Sequence, residues 1–398
     1  MSENQFFKSI HLRGFLSFPP DSEPFEMKPL NVLVGPNGAG KSNLIEAFEL
    51  LQATPTNFAQ AIRDGGGPSE WIWKGLEKNR IAHIDATIGP APTQTPQYLR
   101  YKLSFSDVSH RVEVVDEVIE ELKPFQKGAE DVFFYYRFQN GRPAINVRKK
   151  SGGYSKRQLE KDKLASDQSV LSQRKDPELY PEVTWVGSQF GAIQTFREWS
   201  FGRYAPIREP QRADLPADRL LPDARNLALI LNHIEHRDGR RLTEMIHRFL
   251  PRFERLTTPI FGGQVQFYLH ERGLSDPIPP TRLSDGTIRF LSLVSLLLAP
   301  NPPSLLCIEE PELGLHPDAV ALMAELLVEV SQRTQLVVTT HSDTLVSALS
   351  AHVDSVVVCE NLGDGTVMER LDADRLKVWL DKYKLGEIWR MGELGGNP

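Results

Sequence analysis

The run Gly-Pro-Asn-Gly-Ala-Gly-Lys-Ser at 35–42 places glycines, a lysine and a hydroxyl at the spacing G-x-x-x-x-G-K-[ST]. Between a strand and a helix, such a run curls backbone N–H groups around a phosphate. The helix start aims its dipole at the same spot. On this reading Gly35, Asn37, Gly38, Ala39, Gly40 and Asn43 shape a phosphate cradle. Lys41 sets a point charge on the β- and γ-phosphates, and Ser42 ligates Mg2+. The implied ligands are ATP and Mg2+. The competing reading is a glycine turn with an incidental Lys-Ser. The flanks argue against it: Asn31 to Val34 is a short apolar run, and Leu44, Ala47, Phe48 and Leu51 recur at helical spacing.

A second constellation is Leu-Leu-Cys-Ile-Glu-Glu-Pro-Glu-Leu-Gly-Leu-His-Pro at 305–317. An apolar strand delivers Glu309 and Glu310 at its end, where ligands bind in open α/β sheets. Neighbours on a strand point to opposite sides, but at a strand terminus both can reach one metal–water site. Glu309 is assigned to Mg2+ through its water shell, and Glu310 to polarising an attacking water. Solvated carboxylates at a strand end are the alternative. His341, at the end of Val-Val-Thr-Thr-His, follows another apolar strand and suits a γ-phosphate sensor. A simple turn-forming histidine is its alternative. Finally, Ser284, Asp285, Gly286 and Thr287 stand directly before the apolar run from Phe290 to Ala299. One small polar residue suffices to cap a helix; four, with a glycine among them, suit an anion, and an ordinary N-cap by Asp285 or Ser284 is the alternative.

Elements to hold these groups are legible. The phosphate run reads strand, turn, helix. Segments 80–89, 98–105, 110–119 and 131–138 read as an antiparallel sheet. Two helices are expected within 226–253, and a strand near 264–271. After that, helices over 287–299, 317–332 and 343–350 alternate with strands over 304–310, 335–341 and 355–360. A further strand near 366–371 and a helix from 373 follow. Apolar strands alternating with helices predict an α/β fold with a mixed, largely parallel central sheet. The expected division is 1–141, carrying the phosphate loop and a β subdomain, then a compact, mainly helical insertion over 142–260. Residues 261–398 would pack with 1–141 as one head.

Composition sets outer bounds. The 398 residues are 40% apolar and 25% charged, with a formal net charge of −6. That composition is globular, and a mildly acidic chain binds nucleic acid only through a local patch. Cys307 and Cys359 lack metal spacing and read as reduced thiols of a cytoplasmic protein. No signal peptide or membrane span is expected. The candidate patch is 142–175, with ten Lys or Arg against three Asp or Glu. Arg148, Lys149, Lys150, Lys156 and Arg157 are its possible DNA contacts, on a run that reads as exposed or mobile. Only Tyr154 is aromatic there, so base stacking is not suggested. A solvated basic loop remains the alternative, and Tyr135, Tyr136 and Phe138 read as strand packing.

The motif order (phosphate loop, insertion, Leu-Ser-Asp-Gly-Thr, carboxylate strand, histidine) resembles the ATP-binding-cassette ATPases. Glu-Glu-Pro-Glu-Leu-Gly-Leu-His-Pro and the opening Ser-Ile-His-Leu-Arg-Gly-Phe-Leu-Ser-Phe at 9–18 resemble the branch that holds RecF and the chromosome-maintenance proteins. With the tail at 384–396, the whole is similar to stand-alone bacterial "predicted AAA-type ATPases" of RecF-like character. The resemblance implies a P-loop ATPase that closes as a homodimer around two nucleotides. Ser284, Asp285, Gly286 and Thr287 would then act as a signature loop, with the Ser284 hydroxyl and the Gly286 N–H facing the γ-phosphate of the second copy. It implies work in DNA repair or defence against foreign DNA, or an ATP switch gating a separate effector such as a nuclease or toxin. A transporter role is disfavoured. Departures are Glu309 where the family usually carries Asp, and His316 where many members place the D-loop Asp. Gln52 and Gln60 lie too close to the phosphate-loop helix to form the glutamine loop, which stays unassigned. Arg13 and Phe15 are open between adenine contact and core packing. Residues 142–260 lack sustained heptads, and the 57 residues after His341 leave no room for a nuclease module.

Overall fold

The computed structural model describes residues 5–75, 80–91, 97–124, 131–139, 141–160, 163–361 and 363–396. Three strands, β1 (Phe7–Arg13), β2 (Phe25–Glu26) and β3 (Leu30–Val34), lead into helix α1 (Lys41–Ala53). Short helices α2 (Phe58–Asp64) and α3 (Pro68–Trp71) follow. Six strands then run in succession: β4 (Ile81–Ile88), β5 (Leu99–Val108), β6 (Arg111–Glu121), β7 (Phe134–Gln139), β8 (Arg142–Arg148) and β9 (Tyr154–Gln158). After helices α4 (Val170–Gln173) and α5 (Pro181–Gly191) comes β10 (Gln194–Phe196). A loop carrying β11 (Gln211–Arg212) reaches α6 (Leu227–Phe249), which breaks at Asp238, where the backbone leaves the helical region. This is the pair of helices expected there. Short strands β12 (Phe253–Thr257), β13 (Ile260–Phe261), β14 (Gln264–Val265) and β15 (Tyr268–Glu271) precede α7 (Asp285–Leu297). The alternating part follows: β16 (Leu305–Glu309), α8 (Pro317–Val330), β17 (Gln335–Thr339), α9 (Asp343–Ala348), β18 (Val356–Asn361), β19 (Thr366–Arg370), α10 (Ala373–Leu380) and α11 (Leu385–Arg390).

The central sheet runs β10-β16-β17-β3-β18-β19, parallel except for β19. Its strands are apolar at successive positions because both faces are covered. Leu306, Ile308, Leu336, Val338, Val32 and Val34 pack to one side, beneath α6, α7 and α8. Leu305, Cys307, Val337, Leu33, Val357 and Cys359 pack to the other, against α1 and the second sheet. That second sheet is antiparallel and eight-stranded, in the order β2-β1-β4-β5-β6-β7-β8-β9. Both cysteines are free and buried, and burial pushes the Cys359 thiol up to about 12. No helix among the described residues is long and apolar enough to cross a membrane.

The expected boundary at 141/142 does not divide the structure. Strands β8 and β9 finish the antiparallel sheet that begins near the N-terminus. β10 is an edge strand of the central sheet, and α5 contributes Val183, Val186 and Phe190 to the core beside α1. The stretch 142–260 is thus shared out among layers, and only part of it is helical. Nor is the basic run a free loop. Tyr154–Gln158 is an edge strand paired with β8, while Lys161 and Asp162 lie outside the described residues.

Candidate functional site

Parallel strands β3, β16 and β17 end together. In register, Glu309 pairs with Thr339, and Thr339 with Leu33. The chain therefore places the loop after β3, the two glutamates after β16 and the histidine after β17 around one cavity of about 260 Å3. It is lined by Asn37, Gly38, Ala39, Gly40, Lys41, Ser42, Asn43, Arg197, Glu309, Glu310, Leu313, Thr339 and His341.

Its floor is the start of α1. Gly40 takes the N-cap position with φ 90°, and no side chain caps the first turn. The first N–H groups of the helix therefore point into the cavity, a ready anion site. Glycine is required twice over at Gly40, since a Cβ there would meet the Thr366 hydroxyl at 2.0 Å and Ser17 Oγ at 2.6 Å. Those two hydroxyls bond each other at 2.6 Å, and Thr366 donates to the Ala39 carbonyl at 3.0 Å. The Asn43 amide donates to Ser17 at 2.7 Å, so Asn43 braces the loop as well as lining the cavity. Gly35 sits beneath the cavity and offers its carbonyl. Lys41 Nζ donates to that carbonyl at 2.7 Å and to that of Pro36 at 3.0 Å. Burial lowers the Lys41 pKa; the nearby Cys359, Glu310 and Glu309 oppose the shift.

The wall is acidic. Glu309, the last residue of β16, accepts from Arg197 Nε through Oε2 at 3.0 Å. Its other oxygen, Oε1, is buried with no partner. Glu310 leaves the strand at φ 44°, a strained value for a side-chain-bearing residue. That turn cancels the strand alternation and explains how two successive carboxylates face one cavity. His341 Nε2 stands 3.7 Å from Glu310 Oε1. Glu312 holds the histidine segment in place: its Oε1 accepts from Thr340 Oγ1 at 2.6 Å and from the His341 N–H at 2.9 Å. The buried, unpartnered Glu309 oxygen, in the cavity that Ser42 also lines, suits the outer hydration shell of Mg2+, so the residues fit that ion.

The four residues at 284–287 lie elsewhere, and none lines the cavity. Ser284 caps α7, accepting from the Thr287 N–H at 3.1 Å. The Asp285 carboxylate is gripped by Arg208. A Cβ on Gly286 would meet the Gly314 carbonyl at 2.7 Å, so this glycine permits close contact with the loop after Glu310. Arg289 donates to the Leu313 carbonyl in the same loop, and Leu313 lines the cavity. Ser284 and Asp285 are exposed on a surface of their own. His316 caps α8.

Arg148, Lys149, Lys150, Lys156 and Arg157 are all exposed, at the far end of β8, in the following turn and on edge strand β9. They do not line the cavity. Lys156 sits over the Phe134 ring. Tyr154 packs with Phe133 and Tyr135 and bonds Glu182, and Tyr135 and Tyr136 are buried. Gln52 donates to the Ile193 carbonyl and Gln60 to Asp64, so neither serves the cavity. Phe15 is buried against Trp71 and Phe105, which settles it as core packing.

Arg197, Arg208, Glu312, Ser17 and Thr366 were not visible as site residues in the sequence. Glu312 had a signal, lying within the acidic run. Arg197 and Arg208 had none: each is a lone arginine whose partners come from distant segments.

A family described as "AAA domain, putative AbiEii toxin, Type IV TA system" matches residues 30–347. Among curated proteins, the DNA replication and repair protein RecF of Thermosynechococcus vestitus is 35% identical over 91 residues. RecF of a Synechococcus species is 35% identical over 86 residues. Each alignment covers 22% of this chain, and 24% and 21% of the two relatives; the chain spans about a quarter of their length. Among solved structures, an SMC head bound to the C-winged helix domain of ScpA superposes with a TM-score of 0.53 at 14% identity, covering 94% of this chain and 99% of that one. An SMC head with an extended coiled coil, bound to the C-terminal domain of ScpA derived from Pyrococcus furiosus, gives the same score and identity over 95% and 99%. These likenesses are of fold.

Proposed function

The chain belongs to the AAA-domain family just described and has the fold of the RecF- and SMC-like cassette ATPases; from that premise we propose that it hydrolyses Mg-ATP as a nucleotide-closed homodimer. The observation that carries this reading is the split between two surfaces. The cradle, the glutamates and His341 share one cavity, while Ser284 and Asp285 face outward from a separate helix start.

Triphosphate entering the cavity would meet the uncapped N–H groups of α1. Lys41 would exchange the carbonyls of Gly35 and Pro36 for the β- and γ-phosphates, a stronger charge-assisted pairing. Mg2+, when bound, would supply charge neutralisation for the phosphates; Ser42 and, through water, Glu309 would hold it. Glu310 would orient the attacking water, and His341 would sit against the γ-phosphate, kept there by Glu312. Ser284 and the Gly286 N–H of the second copy would complete the γ-phosphate shell. Replacing Lys41→Ala or Glu310→Gln should lower steady-state phosphate release by about a hundredfold or more. Activity within a few-fold of wild type in both variants would contradict the assignment.

For the output, we favour DNA. The exposed cations on and around β9 support it, as does the DNA replication and repair role of the RecF relatives. Repair or defence against foreign DNA are both compatible. With Lys149, Lys150, Lys156 and Arg157 changed to Glu, DNA affinity should drop and its salt dependence should flatten; affinity unchanged at two salt concentrations would sink this arm. A second reading, an ATP switch that gates a separate effector in the cytoplasm, is supported by the toxin–antitoxin wording of the family description.

A further inference from the structure

Arg197 makes three contacts with its three guanidinium nitrogens. Nε donates to Glu309 at 3.0 Å, Nη1 to Glu49 at 3.1 Å and Nη2 to Glu46 at 3.2 Å. Sheet register puts it there: Phe196, the last residue of β10, pairs with Ile308, so the residue that follows the strand arrives beside Glu309. Glu46 and Glu49 follow Ser42 by four and seven residues on α1, and so share its face. One guanidinium therefore joins the carboxylate strand to the helix face that carries Ser42.

The consequence falls on Glu309. Its Oε2 is taken by Arg197, and its Oε1 is left buried with no partner. A carboxylate with a single rotatable end could otherwise turn either oxygen inward, or swing away. We propose that Arg197 is a positioning residue: it fixes the Glu309 rotamer so that one oxygen faces the Mg2+ site, and it sets the distance from that oxygen to Ser42. This rests on the Mg-ATP reading above. A planar, three-way fork is needed, because a lysine ammonium is a single point of charge on a flexible stem and does not span three separate carboxylates with fixed geometry. Support of this kind for metal-holding groups is worth about 10–100-fold in metal affinity or activity.

Electrostatics alone predicts the opposite sign. Removing a cation from beside the Mg2+ site should tighten Mg2+ binding, whereas losing the positioning should weaken it. The test is the affinity for a fluorescent ATP analogue measured with Mg2+ and with EDTA, taken as a ratio. Arg197→Gln should cut that ratio about tenfold, and Arg197→Lys should recover only part of it. Glu49→Gln, which removes one arm and leaves Arg197 itself intact, should cut the ratio by a smaller factor, and it serves where Arg197→Gln fails to fold. An unchanged or raised ratio in Arg197→Gln, full recovery in Arg197→Lys, or a wild-type ratio in Glu49→Gln overturns the proposal. A wild-type protein that binds the analogue under neither condition overturns the Mg-ATP reading first, and this inference with it.

Discussion

Three helix starts in this molecule meet negative charge in three different ways. At α1 the N-cap is Gly40, no side chain caps the turn, and the N–H groups open into the cavity. At α4 the space is already filled: the Glu117 carboxylate accepts from the Val170 N–H at 2.8 Å and from Ser169, in a fully buried setting. At α7 Ser284 caps its own helix, Arg208 restrains Asp285, and the surface is exposed. The same dipole is left open for a ligand, satisfied from within, or capped and turned outward. The contrast teaches that α1 opens its donors into a cavity lined by its own chain, while α7 presents its start outward, away from that cavity.

The largest effect should come from closing the open start. In Gly40→Ala the new methyl must displace Thr366 and Ser17 and rotate the cradle away from αL geometry. Nucleotide affinity should fall about a hundredfold or more, read by equilibrium titration, because a shift of about 1 Å in a positioned group has effects of that order. Wild-type affinity would mean that the first turn of α1 does not hold the phosphates.

Next is Arg208, 3% exposed, which donates to the carbonyls of Phe201, Pro280 and Leu283 and pairs with Asp285. Arg208→Met strands those buried carbonyls and should cost about 3 kcal/mol in urea unfolding, with little from the mostly exposed Asp285. A loss under about 1 kcal/mol would show that the outward helix start needs no internal support.

The filled start is pH-sensitive. Burial pushes Glu117 up to about 7, against hydrogen bonds from Ser169, Val170 and Tyr101. The folded value lies above the unfolded one, so the native state binds the extra proton. The contribution is fully present below the ordinary carboxylate range, and it is lost as pH rises toward 7. Wild type should therefore lose about 3 kcal/mol relative to Glu117→Gln between pH 4.5 and pH 7. Parallel stability–pH curves for the two proteins would contradict the buried-carboxylate account.

The smallest effect should be Ser284→Ala, where loss of the cap costs about 1 kcal/mol. It should leave nucleotide affinity of the isolated chain unaltered, since Ser284 does not line the chain's own cavity. A tenfold change in that affinity by direct titration would erase the distinction between α1 and α7.

Much of this arrangement was legible because it is local. The phosphate loop lies within eight residues, and Glu309 and Glu310 are adjacent, so spacing alone brought them to notice. The alternating apolar strands announced the central sheet for the same reason. What was hidden depends on long-range register. Arg197 gains its role only when β10 pairs with β16, and Arg208 only when the loop after β10 returns to α7. The β8 and β9 strands misled through their charge: ten cations in 142–175 look like a loop until the strands pair at the sheet's edge, where one side of the ladder faces water. The turn at Glu310, with its positive φ, is the detail that composition could least suggest, and it is what brings both carboxylates to one side.

In the proposed homodimer, the outward helix start of one copy completes the cavity of the other. Glu310→Gln, which should bind Mg-ATP and stall, is to be followed by sedimentation velocity with and without nucleotide, alone and combined with Ser284→Arg. A nucleotide-dependent dimer that disappears in the double variant is the predicted result. A single chain at every Mg-ATP concentration, or a dimer indifferent to Ser284→Arg, would contradict it.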